Sequence, residues 1–208
     1  MKTILFQGDS ITDAQRNRQD DNYAGSGYAT LVSAHLGLEC PGKYKFYNRG
    51  ISGVGVANLV SRTPQDFIGL SPDCISILIG VNDACHETNT RGYFDPEKFK
   101  ALYTLLLEEL TRELPCAKII LMSPFLLKGS IHGEKYPIYR KEVEKAAAVV
   151  KELAEKFGVE FIPLMEIFDK VEKSAPEGFW LYDGVHPTAA GHELIKKYWL
   201  EAFYKQEI

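Results

Sequence analysis

The sequence predicts a three-layer α/β/α sandwich built on a five-stranded parallel sheet, and three observations lead there. Short apolar or β-branched runs recur along the chain, each too short to be a helix of its own. Segments with apolar residues at three- and four-residue spacing separate them, as amphipathic helices require. The two patterns alternate from end to end without repeat, low-complexity tract or interdomain linker, so the 208 residues read as one domain, 1–208.

The first strand candidate is Lys2 to Gln7, centred on Thr3-Ile4-Leu5-Phe6, and it breaks into Gly8-Asp9-Ser10-Ile11-Thr12. Gly25-Ser26-Gly27 reads as a loop ahead of a helix whose stripe Tyr28-Leu31-Val32-His35-Leu36 ends at Gly37. The second strand, Lys45 to Arg49, leads into Gly50-Ile51-Ser52-Gly53 and a helix. The third, Cys74 to Ile79, runs into Gly80-Val81-Asn82-Asp83. A helix with the stripe Phe99-Leu102-Tyr103-Leu106-Leu110 stops before Pro115, and Lys118 to Met122 is the fourth strand. After it, Pro124 to Pro137 reads as the longest irregular segment, on the side of the sheet where a site would lie. A helix from Tyr139 to Phe157 closes at Gly158, Glu160 to Ile162 is the fifth strand, and the last helix runs from about Thr188 to Phe203. Parallel strands joined by helices need right-handed crossovers, and ligands then sit outside the carboxyl ends of the strands. Ser10, Gly53 and Asn82 follow three successive strands, so they meet at one edge.

Composition excludes several function classes. The formal net charge is −4 and no run of Lys or Arg offers a footprint for nucleic acid. No apolar stretch is long enough to span a bilayer, and the apolar part of Met1 to Gln7 is too short for a signal peptide. The expectation is a cytoplasmic protein that begins at Met1, with no membrane partner and with homo-oligomerisation left open. Cys40, Cys74, Cys85 and Cys116 show neither metal-ligand spacing nor the density of a disulfide scaffold, so they read as reduced thiols, Cys74 and Cys116 as core filler. Cys85-His86 is a poor nucleophile pair, because neighbours in a chain rarely point at each other. His86, His132, His186 and His192 form no metal-ligand cluster, and His192 reads as packing on the last helix. Gly53-Val54-Gly55 lacks the further glycine of a dinucleotide fingerprint, and both the phosphate-binding loop and the Gly-x-Ser-x-Gly elbow are missing. No metal and no organic cofactor is expected.

Serine chemistry remains. A serine hydroxyl is a poor nucleophile at neutral pH and requires a base to take its proton and a third group to orient that base. Ser10 lies near one end of the chain and Asp183-Gly184-Val185-His186-Pro187 near the other. Asp183 stands three residues before His186 on a turn that Pro187 feeds into a helix. Its carboxylate can therefore curl back onto one imidazole nitrogen and leave the other facing outward. The competing reading has Ser10 capping the first helix and Asp183 the last. Two further signals favour chemistry. Asn48-Arg49-Gly50-Ile51-Ser52-Gly53 brings glycine N–H groups that can approach an oxyanion closely, and the Asn82 amide at the end of the third strand can donate to the same oxygen.

With these blocks the chain resembles the SGNH or GDSL hydrolases, a large group of serine esterases and lipases. The resemblance lies in Gly8-Asp9-Ser10, the glycine of Gly50-Ile51-Ser52-Gly53, Gly80-Val81-Asn82-Asp83 and Asp183-Gly184-Val185-His186-Pro187, in the family's order and across nearly the whole chain. It implies a flavodoxin-like fold, Ser10 as nucleophile and first oxyanion donor, Gly53 as the second donor, Asn82 as the third, and Asp183 and His186 completing the triad. Gly50 is the alternative to Gly53, which is preferred because it stands further past the strand. Where many members have Asp or Asn after that glycine, this chain has Val54-Gly55. Closer similarity is to the bacterial carbohydrate-esterase branch that holds acetylxylan esterases, on Ser10-Ile11-Thr12-Asp13, Gly25-Ser26-Gly27-Tyr28, the Asn48 to Gly53 block and Asp183 through His192. The implied partner is a small-molecule or oligosaccharide ester, deacetylated through a serine ester. Two other readings stay open: a lysophospholipase or acyl thioesterase, which needs a long apolar groove, and a non-catalytic carbohydrate-binding protein on the same fold.

Overall fold

In the computed structural model, which describes residues 1–206, the apolar runs pair into one sheet, and the expected domain boundary at 208 lies outside the described residues. The elements in chain order are β1 (Lys2–Gly8), α1 (Ser10–Asp13), α2 (Tyr28–Glu39), β2 (Tyr44–Asn48), α3 (Val56–Ser61), α4 (Thr63–Asp66), β3 (Cys74–Leu78) and α5 (Val81–Arg91). They continue with α6 (Pro96–Glu113), β4 (Lys118–Met122), α7 (Tyr136–Phe157), β5 (Glu160–Ile162), α8 (Leu164–Glu172) and α9 (Ala189–Tyr204).

The sheet order is β2-β1-β3-β4-β5 and every pair is parallel. All five residues of β3 are buried, as a parallel strand covered on both faces demands. Alternation along the strands feeds the two layers separately. Phe6 packs edge-on against Tyr28 of α2 and beside Trp199 of α9, and the Trp199 indole N–H donates to Ser76 Oγ at 2.9 Å. Gln7, one residue on, turns the other way and donates to the Asp66 carbonyl of α4 at 3.1 Å. The chain winds outward in opposite directions from the junction of β1 and β3, and such a reversal opens a crevice at the carboxyl ends of these strands. Ser10 and Asn82 follow from those ends, in the first turns of α1 and α5.

The structure corrects several boundaries. Helix α2 continues through Gly37 to Glu39, because the backbone there stays helical and the positive φ falls instead on Gly42, at +76°. Helix α7 begins at Tyr136, with Pro137 in its first turn where a missing N–H has no consequence. The segment after β4 also contains a short 3₁₀ turn at Gly133–Lys135, so the longest stretches without helix or strand are 173–188 and 14–27. Helix α8 went unread in the sequence, although Leu164, Met165, Ile167 and Phe168 form its buried face. Cys74 lies in the core, whereas Cys116 is exposed ahead of β4. Gly158 does close α7 in the left-handed region, at φ +63°.

Candidate active site

Ser10 opens α1 directly after β1, and its Oγ lies 2.9 Å from His186 Nε2. Asp9 takes the cap of that helix, accepting from the Ile11 N–H at 3.0 Å and leaving the serine hydroxyl uncommitted to a capping role. On the other side of the imidazole, His186 Nδ1 lies 2.6 Å from Asp183 Oδ2. A proton on Nδ1 directed at a carboxylate makes Nε2 the acceptor for the serine. Asp183 Oδ1 accepts from the N–H groups of Val185 at 2.9 Å and His186 at 2.8 Å, the local turn that the spacing suggested. Burial alone would raise the Asp183 carboxyl. The backbone N–H of His186, its ring and the Val185 N–H together hold it below the ordinary carboxylate range. Asp183 does not cap α9, because Thr188 does so by accepting from the Gly191 N–H at 3.2 Å.

The loop bearing these two residues is held from three sides. Leu181 is buried, and the Trp180 indole N–H donates to the Val171 carbonyl at 2.9 Å, so both act as anchors. The Tyr182 ring stacks on the His186 imidazole, 5.7 Å between centroids at 18°. From the segment after β4, the Leu127 N–H donates to the Gly184 carbonyl at 2.9 Å and the Ile131 N–H to the Asp183 carbonyl at 3.1 Å. Gly129 lies so close that a Cβ there would stand 2.3 Å from the Asp183 carbonyl. The Pro124 to Pro137 segment thus buttresses the Asp183 turn.

The two candidate glycines differ sharply. The Gly50 N–H donates to Asn48 Oδ1 at 2.9 Å, and a Cβ at Gly50 would meet the Asp13 backbone at 2.4 Å. Gly50 is therefore a packing position with its donor engaged. Gly53 sits on the open side of the loop at φ +80°, and among the described residues neither its N–H nor that of Ser10 donates to a protein acceptor. Asn82 Nδ2 donates to the Val54 carbonyl at 3.0 Å, which ties the loop after β3 to the loop after β2 and leaves the second amide hydrogen available. The Val54-Gly55 departure also finds its reason. Asp83 Oδ1 accepts from the Val56 N–H at 2.9 Å, and a Cβ at Gly55 would meet that carboxylate at 2.5 Å.

Sequence reasoning missed the carboxyl behind the serine. Asp9 is buried with Oδ2 unpartnered, and burial, aided by the like charge of Asp83, pushes it up to about 7. Below pH ~4 Asp9 is protonated whether the chain is folded or not. As pH rises towards 7 only the unfolded chain ionises it, so that stability is lost across this window, by ~4 kcal/mol at most. Asp9→Asn keeps the cap and cannot ionise. Thermal melts are therefore expected to show its stability relative to the parent improving between pH 4 and pH 8; an unchanged difference would mean Asp9 is ionised in the folded chain.

Beside His186 opens a cavity of about 330 Å³, walled by Asn82, Cys85, His132, Tyr139 and Val185 among others. Cys85 does not pair with His86. Its sulfur lies 3.5 Å from His132 Nε2, and burial pushes the thiol up to about 12, so it is no thiolate nucleophile. The His132 ring stacks on Tyr139 at 4.0 Å, and burial lowers its basicity. His192 accepts the Tyr28 N–H at 3.1 Å and is pushed down to about 4 by burial, a neutral packing residue. Among the described residues no group of three or more His, Cys, Asp or Glu is placed to hold a metal ion, and no helix is long and apolar enough to cross a membrane.

Residues 6–194 match the GDSL-like lipase/acylhydrolase family. The chain is 33% identical over 204 residues to an acetylxylan esterase from Geobacillus stearothermophilus, covering 95% of this chain and 91% of that one. The crystal structure of the acetylxylan esterase Axe2 from the same organism superposes with a TM-score of 0.85 at 30% identity, covering 97% of this chain and 93% of its own. Catalytic mutants of Axe2 replace a serine, a histidine and an aspartate, the aspartate standing three residues before the histidine. A GDSL-like lipase candidate from Parabacteroides merdae superposes with a TM-score of 0.88 at 37% identity, over 97% and 94% of the two chains. These likenesses make the chain a carboxylic ester hydrolase that belongs to the GDSL-like lipase/acylhydrolase family.

Proposed function

We propose that this hydrolase removes acetyl groups from carbohydrates through a serine ester formed on Ser10. The single observation that carries the reading is the unbroken run from Ser10 Oγ through the His186 ring to Asp183, at 2.9 and 2.6 Å. His186 Nε2 takes the Ser10 proton as the oxygen attacks the ester carbonyl, and Asp183 steadies the imidazolium that results. The N–H groups of Ser10 and Gly53 and the Asn82 amide hold the oxyanion. His186 then protonates the departing sugar oxygen, deprotonates a water that attacks the acetyl-serine, and returns the proton to Ser10. The aspartate-to-histidine spacing of the Axe2 catalytic mutants supports the assignment of Asp183 and His186.

The acetylxylan esterase relatives support the carbohydrate substrate. So does the cavity beside His186: imidazoles, amides and a lysine interrupt its apolar wall, where a long acyl chain would need a continuous apolar groove. We read 1–208 as one such domain, and its free thiols suit the reducing cytoplasm. A panel of aryl esters from acetate to dodecanoate, followed by acetylated xylo-oligosaccharides, tests the reading. Acetate is expected to be turned over fastest and the xylo-oligosaccharides to lose acetate; a preference for long acyl chains would point to the lipase or thioesterase reading instead.

Asn82→Ala is expected to lower kcat by roughly 10²- to 10³-fold with little change in KM, since the amide binds charge that exists only in the transition state. Steady-state kinetics on 4-nitrophenyl acetate checks this. An effect confined to KM would assign Asn82 to ground-state binding.

A further inference from the structure

We infer that the cavity beside His186 selects esters whose alcohol part carries a carboxylate, and that Lys135 reads this charge. The inference rests on the esterase reading only for placing the substrate in this cavity. The chain as a whole is acidic, with a formal net charge of −4. The cavity wall inverts that balance: Lys135 lines it, and no aspartate or glutamate does.

Of the nearby acids, Glu134, next to Lys135 in the chain, is exposed and outside the cavity lining, and Glu87, Glu142 and Asp183 are engaged elsewhere. Glu87, next to His86, pairs with Lys98 at 2.6 Å and accepts the Asp95 N–H at 2.9 Å. Glu142, one turn beyond Tyr139, pairs with Lys145 at 2.7 Å and accepts the Phe94 N–H at 3.2 Å. Asp183 faces the far side of the His186 ring. The Cys85 thiol adds no negative charge, being held neutral by burial. Lys135 itself forms no ion pair among the described residues, although lysines elsewhere on the surface find glutamates. An unpaired ammonium at a pocket free of carboxylates attracts an anion at short range and at a distance.

The neutral groups reinforce this. The Tyr139 hydroxyl donates to Asn89 Oδ1, which fixes the orientation of that amide and leaves its NH₂ as a donor. The wall thus offers amide and ammonium donors from Asn89, Asn82 and Lys135 and no carboxylate acceptor. A carboxylate has acceptors only, whereas a neutral sugar hydroxyl must also place a proton. The volume, about 330 Å³, takes a single sugar ring bearing such a group.

Isothermal titration with methyl glucuronoside and its uncharged counterpart methyl glucoside tests the inference without requiring turnover, so its failure is distinct from a failure to hydrolyse esters. At low ionic strength the wild type is expected to bind the acid roughly tenfold more tightly than the neutral glycoside, as a charge-assisted contact allows. The ratio should shrink in high salt, fall to near unity in Lys135→Met and invert in Lys135→Glu. The ratio of kcat/KM for the two corresponding acetyl esters should follow the same order. Equal binding of both glycosides by the wild type, or a preference for the acid that survives in Lys135→Met, overturns the inference.

Discussion

Ser10→Ala is expected to abolish almost all ester hydrolysis, lowering kcat by about 10⁵- to 10⁶-fold, and His186→Ala is expected to do nearly the same. The reason is geometric. With Ser10 Oγ only 2.9 Å from His186 Nε2, the proposed mechanism makes the two groups one device, in which either alone lacks the nucleophile or the base that activates it. The double variant should be little worse than either single one, because the second substitution removes a function already lost. Initial rates on 4-nitrophenyl acetate, with folding verified by circular dichroism, provide the comparison. Losses that multiply would mean that Ser10 and His186 act independently.

The second large effect is expected far in sequence from either residue. A methyl group at Gly129 would stand 2.3 Å from the Asp183 carbonyl and 2.4 Å from the Gly184 nitrogen, both main-chain atoms that no rotamer change can move. The Asp183 turn must shift, and if Asp183 orients His186 as proposed, a displacement of about 1 Å costs on the order of 10²-fold in rate. Gly129→Ala should therefore reduce kcat/KM by roughly 10²-fold and stability by ~1–3 kcal/mol. Gly37→Ala is the control: a Cβ there meets nothing within 4 Å and the residue lies inside α2, so it should stabilise the fold by ~0.5–1 kcal/mol without touching kinetics. Normal activity in Gly129→Ala would show that the β4 segment does not position Asp183.

The parts of this molecule legible in sequence are those decided by local spacing. The buried strands announce themselves because covered parallel strands are apolar throughout, as Cys74–Leu78 is. The approach of Asp183 to His186 follows from a three-residue turn, and Gly158 ends α7 by a backbone conformation that glycine favours. What escaped depends on distant partners. Gly50 and Gly53 cannot be told apart until the Asn48 side chain is seen to engage one N–H. Gly37 resembles a helix stop until the neighbouring backbone is seen to continue. The cavity draws on α5, the segment after β4 and α7, and no periodicity links Asn82, His132 and Tyr139. Nothing in the spacing singles out Asp9, and only its burial shows that its carboxyl is pushed towards the neutral form.

The most direct measurement of the central claim is covalent labelling with a 4-nitrophenyl alkylphosphonate followed by peptide mass spectrometry. Attack by a serine oxygen on phosphorus expels 4-nitrophenol and leaves a stable phosphonyl ester that mimics the tetrahedral intermediate. One adduct per chain is expected, located on Ser10, formed far more slowly in His186→Ala and absent in Ser10→Ala. A chain that hydrolyses acetyl esters while Ser10 stays unlabelled, or that carries the adduct on another residue, would contradict the account.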